Sequence, residues 1–226
     1  MPMELSIKDI LWDLALAIPL FIYVMLIVSV VTRHLYNYMV RRGVRRNVAV
    51  YYNRKIIHVS TGGVIALLVP LIFREPFTPF VFALILAAIT LYPHLRGSEL
   101  SWFQTKDNAY EVNFCIAWGS SILVLWLYLN NVWISILPAL FISIGDAVTG
   151  VVRNAIFGRR TKHWVGNIAM AVTTIPIGYS LAGIPGTIAG ALATIAERFE
   201  FGYIDDNILI TIVSTATLIA LKSWLP

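Results

Sequence analysis

The sequence predicts an all-α membrane protein, a polytopic transmembrane helical bundle that forms a single integral membrane domain over residues 1–226. Three observations support this class. Hydrophobic residues make up 58% of the chain and charged residues only 13%, whereas about 25% of a soluble domain is charged. The mean hydropathy is +0.77. The apolar residues also form runs long enough to cross a bilayer. We therefore expect a multi-pass protein whose partner is the lipid bilayer (the cell membrane, if the chain is prokaryotic), with no nucleic-acid partner.

Eight segments are candidates for membrane helices, since such a helix requires roughly 20 mostly apolar residues. They are 11–31, 57–73, 78–95, 112–129, 132–152, 166–182, 184–200 and 207–224. The turns at 74–77 and 130–131 and the break at 183–185 are short, so a re-entrant turn would reduce the count to seven or six. Acidic residues precede the first apolar run, which indicates a retained helix rather than a signal peptide. Residues 1–53 then hold the first helix and a basic cytosolic connection, and residues 54–226 form the core.

The distribution of Lys and Arg predicts the orientation, because cytoplasmic loops carry an excess of these residues. With the amino terminus outside, only Lys8, Arg74 and Lys222 of the 17 Lys and Arg residues fall on the extracytoplasmic side. Both termini are therefore expected to be extracytoplasmic. The same topology places the polar landmarks at the cytoplasmic ends of the helices, so we expect an active site at the cytosolic face.

The first candidate motif is Arg54-Lys55-x-x-His58. At the start of a helix, residues three and four apart share a face. Two cations and an imidazole on that face could bind a polyphosphate. The alternative is a positive-inside anchor with a snorkelling histidine.

The second candidate is Asp146, which lies between Gly145 and Ala147 in an apolar segment. A carboxylate inside a membrane helix costs several kcal/mol unless it has a partner or a task. Small neighbours leave room for a metal-bound phosphate, and magnesium usually takes one or two carboxylates together with substrate oxygens. The alternative is an ion pair with Arg153 or another nearby cation.

A basic loop follows over residues 153–166 and contains Gly158, Arg159 and Lys162. Its cations could bind phosphate beside Asp146. The alternative is that these cations only mark the loop as cytosolic and bind no ligand.

Four further polar residues, Glu197, Asp205, Asp206 and Asn207, lie at the end of the penultimate segment and at the start of the last one. Acids at a helix amino terminus are favourable caps. Two adjacent carboxylates could instead hold magnesium or accept a proton from an alcohol. Both readings stay open.

Asp107 and Glu111 are one helical turn apart and could form another metal pair, although a solvated loop face is the commoner role of such residues. The sequence contains no G-x-x-x-x-G-K-[ST], G-x-G-x-x-G, G-x-S-x-G, H-E-x-x-H or C-x-x-C motif. A nucleotide would therefore bind through helix ends and side chains.

Taken in order, these motifs resemble those of the CTP-dependent polyprenol kinases, which include dolichol kinase and phytol kinase. The resemblance runs from Arg54 to the carboxyl terminus, and the chain looks like a compact prokaryotic or archaeal form. The positions that match the family motifs are Arg54, Lys55, His58, Asp146, Gly158, Arg159, Lys162, Gly166, Glu197, Asp205, Asp206 and Asn207. The positions that depart from the G-K-[ST]-x-E-G-S element are Thr161, His163, Val165 and Asn167.

The resemblance implies a lipid kinase that transfers the terminal phosphate of CTP to the hydroxyl of a membrane isoprenoid alcohol such as dolichol, geranylgeraniol or phytol. It implies Mg²⁺ or another divalent cation, held by Asp146 with Asp205 or Asp206. Asp206 is the favoured group to orient or deprotonate the alcohol, with His58 as the competing base. Lys55 would neutralise phosphate charge.

The same resemblance implies a nucleotide site, in which Arg side chains offer a planar fork and Lys side chains a point charge. The expected CTP-binding residues are Arg54, Lys55, Gly158, Arg159, Lys162, Glu197 and Asn207. In this reading residues 54–226 are a kinase-like core.

Two other functions remain alternatives. A CTP-dependent cytidylyltransferase that makes a CDP-activated lipid would need the same acids, metal and basic face, but it would release pyrophosphate rather than CDP. The other alternative is non-enzymatic, a small transporter or a structural membrane protein; a transporter would place polar residues near the middle of the membrane, whereas here they gather at one surface.

Overall fold

The structure is a computed structural model that describes residues 6–159 and 161–226, and it is helical throughout. The β-type pairing among the described residues consists of two isolated bridges. Six helices are long and apolar enough to cross a membrane, which confirms the predicted all-α, multi-pass class. They are α1 (Ile7–Arg41), α2 (Arg46–Ile72), α3 (Phe77–Leu95), α4 (Tyr110–Leu129), α5 (Val132–Phe157) and α6 (Trp164–Ala196). A shorter apolar helix, α7 (Asp206–Ala220), follows.

The first two helices extend well beyond their predicted apolar segments. Helix α1 continues to Arg41 instead of ending near residue 31, and α2 begins at Arg46 instead of near residue 57. Basic residues continue a helix readily, since their long side chains reach water from the membrane boundary. The turn between the two helices contains Gly43, whose φ of 86° is accessible to glycine. Much of the predicted basic connection is therefore helical.

Helix α5 is the centre of the bundle. In its most apolar stretch 83% of the residues are buried, compared with 11% in α1. It packs against α2, α4, α6 and α7. The outer faces of the peripheral helices carry exposed Ile, Leu, Val and aromatic side chains, as expected where lipid replaces a protein neighbour.

Helices α2 and α5 cross closely at two π-helical turns, His58–Gly63 and Phe141–Gly145. A Cβ atom at Gly62 would lie 2.7 Å from the hydroxyl of Ser143, so glycine is needed at this crossing. Single π-turns inside α-helices often mark functional sites. Here they bring the polar end of α2 against the polar end of α5.

Helix α6 is a helical hairpin. At Gly183 the backbone leaves the helical region (φ 59°, ψ −137°), and the chain then runs back along itself. The Asn167 amide donates a hydrogen bond to the Thr194 carbonyl at 2.8 Å. Nearer the bend, Gly178 contacts the backbone of Gly186 directly. Because the chain reverses, residue 197 returns to the end of the bundle at which α6 begins.

Candidate active site

Side chains from distant parts of the chain line one polar cavity of about 30 Å³. It lies between α2, α5, the loop before α6, the end of the α6 hairpin and the start of α7. Eight predicted site residues line it: Arg54, Lys55, His58, Asp146, Lys162, Glu197, Asp206 and Asn207. The structure therefore brings together most of the residues that the motifs singled out, while their chemical roles stay predictions.

Asp146 is bound by Lys55 rather than by Arg153. The Lys55 Nζ lies 2.5 Å from Asp146 Oδ2, and the two side chains are only 10% and 3% exposed. The lysine reaches this position along Gly150, where a Cβ atom would overlap its side chain. A carboxylate this deep in an apolar bundle requires such a partner.

His58 stands next to this pair. Its ring stacks on Phe114, with the centroids 4.0 Å apart. Its Nδ1 lies 3.6 Å from Asp146 Oδ2, which is too long for a hydrogen bond. Among the described residues this buried nitrogen has no hydrogen-bond partner. A ring nitrogen of His58 therefore lies beside the carboxylate with its hydrogen-bonding capacity unused among the described residues.

Arg153 is a residue of the candidate site that the family motifs did not identify. It is 2% exposed and donates two hydrogen bonds to the Glu197 carboxylate, at 2.7 and 2.9 Å. It also donates to the Asn167 side chain at 3.0 Å and to the His163 carbonyl at 2.9 Å. This bidentate pair joins α5 to the hairpin. Asn167, one of the departures from the family pattern, bonds to both members of the pair.

Lys162 lies at the mouth of the cavity among three carboxylates. Its Nζ donates to Asp206 at 2.7 Å and to Glu197 at 3.0 Å, and it lies 3.2 Å from Glu200. Burial alone would lower the pKa of this ammonium, but the attraction of Asp206 and Glu197 outweighs it, so the pKa of Lys162 lies above its ordinary value. Lys162 therefore stays charged in this arrangement.

Three acids form a cluster that fits a divalent cation. One carboxylate oxygen from each of Asp146, Glu197 and Asp206 lies within 4.8 Å of the other two. Asn207 lines the same cavity, and its buried Oδ1 has no hydrogen-bond partner among the described residues. Oxygen donors of this kind are the ligands that magnesium prefers, and opposite ligands of an octahedral ion stand about 4.2 Å apart. The donor set is therefore of the kind that holds magnesium, but the Lys162 ammonium is bonded to both Glu197 and Asp206 in this structure and would have to leave them for an ion to bind.

Three predicted site residues do not line the polar cavity. Asp205 caps α7 through the Ile208 amide at 3.1 Å and accepts from the Asn207 side chain, so it lies outside the acid cluster. Burial, with a contribution from the neighbouring Asp206 carboxylate, raises the pKa of Asp205 to about 6. Gly158 ends α5 in the left-handed region, with φ 59°, and Arg159 is exposed.

A second, apolar cavity of about 140 Å³ lies between α1, α2, α3 and α4. Aromatic side chains such as Phe82, Phe114 and Trp118 line it. It shares two lining residues, Arg54 and His58, with the polar cavity. The Arg54 guanidinium lies over the Tyr110 ring at 4.7 Å. An apolar and a charged compartment thus meet at His58.

The structure places Glu111 neither in a metal pair with Asp107 nor on a solvated loop face, the two alternatives considered for it. It is buried, its Oε1 lies 2.6 Å from the His94 Nε2, and it accepts from Gln104 at 2.8 Å. Asp107, its proposed metal partner, is exposed. This network has no local signature in the sequence, because His94 and Gln104 lie outside the helix that carries Glu111.

In comparisons with known proteins, the chain matches no family model, no curated protein and no solved structure. The resemblance to the polyprenol kinases therefore depends on the ordered motifs and stays a prediction.

Proposed function

We propose that this protein is a membrane phosphotransferase, a CTP-dependent polyprenol kinase that phosphorylates a long-chain isoprenoid alcohol. The observation that carries the proposal is the shared wall between the two cavities, formed by Arg54 and His58. An alcohol whose chain occupies the apolar cavity would present its hydroxyl at this wall. On the other side lie cations and carboxylates of the kind that phosphoryl transfer requires.

The lining of the apolar cavity suits the head-proximal part of a lipid chain, although its volume of about 140 Å³ is also below the 300 Å³ or more of typical ligand pockets. It runs along α3 from Pro79 to Thr90, which corresponds to about 16 Å at 1.5 Å per residue. That is roughly half the thickness of the hydrocarbon core of a bilayer. A chain in this cavity would be in an apolar environment along its length, and only its head would meet polar groups.

The polar cavity supplies the groups for the donor nucleotide. Lys55, Lys162 and Arg54 would offset the charge of the CTP phosphates, and Arg159 could reach them from the exposed loop. A cavity of about 30 Å³ is smaller than the 300 Å³ or more of typical ligand pockets. CTP binding would therefore require the loop that carries Lys162 to move away from Glu197.

Asp146, Glu197 and Asp206 would hold the divalent cation, with Asn207 as a further oxygen donor. When bound, magnesium neutralises phosphate charge and orients the phosphates for in-line attack. Asp205 is a weaker candidate for a ligand because it caps α7 instead.

The alcohol oxygen would attack the terminal phosphorus of CTP, the bond to the β-phosphate oxygen would break, and CDP would leave. A base must take the alcohol proton. His58 lines both cavities, and its Nδ1 has no hydrogen-bond partner within the described part of the chain, whereas Asp206 is bonded to Lys162. These contacts favour His58 over Asp206 as the base.

The same proposal includes the topology. If the two halves of the α6 hairpin and α7 each cross the membrane, the chain has eight spans and both termini are extracytoplasmic. The polar cavity then faces the cytosol, where CTP is available. The charge distribution of the loops supports this orientation.

The test is incubation of the purified protein with γ-labelled CTP, magnesium and a panel of prenols. We expect label in the lipid and release of CDP; a cytidylyltransferase would instead release pyrophosphate. Asp146→Asn should abolish transfer while the protein is still produced. Since this variant leaves Lys55 without its carboxylate, Lys55→Met/Asp146→Asn serves as a folded control that should also be inactive. Wild-type turnover by either variant would exclude Asp146 from the reaction.

A further inference from the structure

The polar end of the apolar cavity contains a carboxylate that the proposed phosphoryl transfer does not use. Glu111 lies in the first turn of α4, its side chain is only 10% exposed, and it lines the apolar cavity. It does not line the polar cavity. A buried acid at an apolar wall is costly unless it is bound on all sides or has a task.

The two oxygens of this carboxylate have different surroundings. Oε1 is held by the His94 ring at 2.6 Å and by the Gln104 amide at 2.8 Å. Gln104 is itself fixed, because its amide also donates to the Thr90 carbonyl at 2.8 Å and its oxygen accepts from the Leu100 amide at 2.8 Å. Oε2 is buried and has no hydrogen-bond partner among the described residues.

The unpartnered oxygen therefore belongs to a side chain whose orientation is set by two neighbouring groups, the His94 ring and the Gln104 amide. A carboxylate oxygen is only an acceptor while it is ionised. Ionised Glu111 could therefore accept a hydrogen bond at Oε2 from a donor group on a ligand, and its charge would repel an anionic ligand. Hydrogen bonds to a charged group are among the stronger ones in proteins.

We propose that Glu111 determines the head-group specificity of the apolar cavity: its free oxygen accepts a hydrogen bond from a neutral hydroxyl and disfavours an anionic phosphate ester. This inference rests on the proposed function for the identity of the reaction, but it concerns binding alone. Within that function, Glu111 would favour the alcohol substrate over its phosphorylated product and so promote product release. It would also disfavour a phosphatidate-like acceptor.

The experiment measures binding without CTP. The detergent-solubilised protein is labelled by a diazirine-bearing long-chain alcohol, and dodecanol or dodecyl phosphate competes for labelling of the α4 peptide. For the wild type we expect dodecanol to compete at a concentration at least about tenfold below that of dodecyl phosphate. Glu111→Gln keeps the acceptor toward His94 and replaces Oε2 by an amide donor. The ratio of the competing concentration of dodecyl phosphate to that of dodecanol should therefore fall below about threefold.

Asp107→Asn is the matched control, because it removes the same charge from an exposed side chain near the same end of the bundle. It should leave the ratio unchanged. An unchanged ratio in Glu111→Gln, or an equal decrease in Asp107→Asn, would overturn the inference.

A second measurement uses only the wild-type protein. Dodecyl methyl ether lacks a hydrogen-bond donor, so it should compete at least about tenfold less well than dodecanol. Equal competition would overturn the inference even if Glu111→Gln does not fold. If CTP-dependent transfer fails while the head-group preference is present, only the kinase proposal fails; if transfer occurs and the preference is absent, only the role of Glu111 fails.

Discussion

The buried pair between Lys55 and Asp146 allows a test that separates folding from chemistry. Their charged atoms are 2.5 Å apart and both side chains are almost fully buried. Removing one partner of such a pair costs about 3–5 kcal/mol, because the other charge is left uncompensated, whereas replacing both is often neutral. Lys55→Met and Asp146→Asn should each lower the free energy of unfolding by about this amount. The double variant should recover most of the loss.

For a chain of this size, a change of 1 kcal/mol moves the melting temperature by about 2–4 °C, so each single variant should melt roughly 6–20 °C below the wild type. The assay is thermal unfolding in detergent with a chelator, followed by tryptophan fluorescence. Lys106→Met, at an exposed lysine, should change stability by less than about 0.5 kcal/mol. If the proposed function holds, phosphoryl transfer from CTP should be absent from the double variant even though its stability returns. If the double variant were as unstable as the sum of the two single variants, the pairing described here would be wrong.

Two further predictions concern α7 and the α6 hairpin. Burial raises the pKa of Asp205 to about 6, so the folded state binds the proton of this carboxyl group more tightly than the unfolded state does. The resulting stabilisation is present below about pH 4 and is lost as the pH rises through 6. Asp205→Asn keeps a good helix cap and should lack this loss of about 2–3 kcal/mol in the free energy of unfolding. The measurement compares the melting temperatures of the variant and the wild type at pH 4 and at pH 7 with a chelator. An identical pH dependence in both proteins would refute the raised pKa of Asp205. Gly186→Ala places a Cβ against the Gly178 backbone, so unfolding in detergent should show a loss of about 1–3 kcal/mol. The lipid-facing control Ile184→Ala, 60% exposed, should have a much smaller effect, and equal losses would contradict the close crossing.

The composition and the lengths of the apolar runs were sufficient to predict the fold class. Most helix positions followed as well, since a bilayer requires about 20 apolar residues per span. The basic stretches 32–41 and 46–53, at the ends of α1 and α2, were not predicted to be helical. Hydropathy measures where lipid contact ends, whereas a helix ends only where its backbone hydrogen bonds end, here near Gly43.

Local spacing also identified many residues of the candidate site. Lys55 and His58, three positions apart on one helix, were expected to share a face, and both lie at Asp146. Asp146 was conspicuous because an acid in an apolar run is costly. Its partner could not be identified from the sequence, because Lys55 is 91 positions away and Arg153 is much nearer along the chain.

What the sequence by itself determined about this protein is the membrane class, the approximate spans and the set of polar residues at one end of the bundle. Only the tertiary structure decided how these residues pair: Arg153 with Glu197, His94 with Glu111, and Asp206 but not Asp205 at the acid cluster. Local patterns report which residues share a helix face, but pairing depends on where helices cross. That depends on close packing at residues such as Gly62 and Gly150, which have no periodic signature in the sequence.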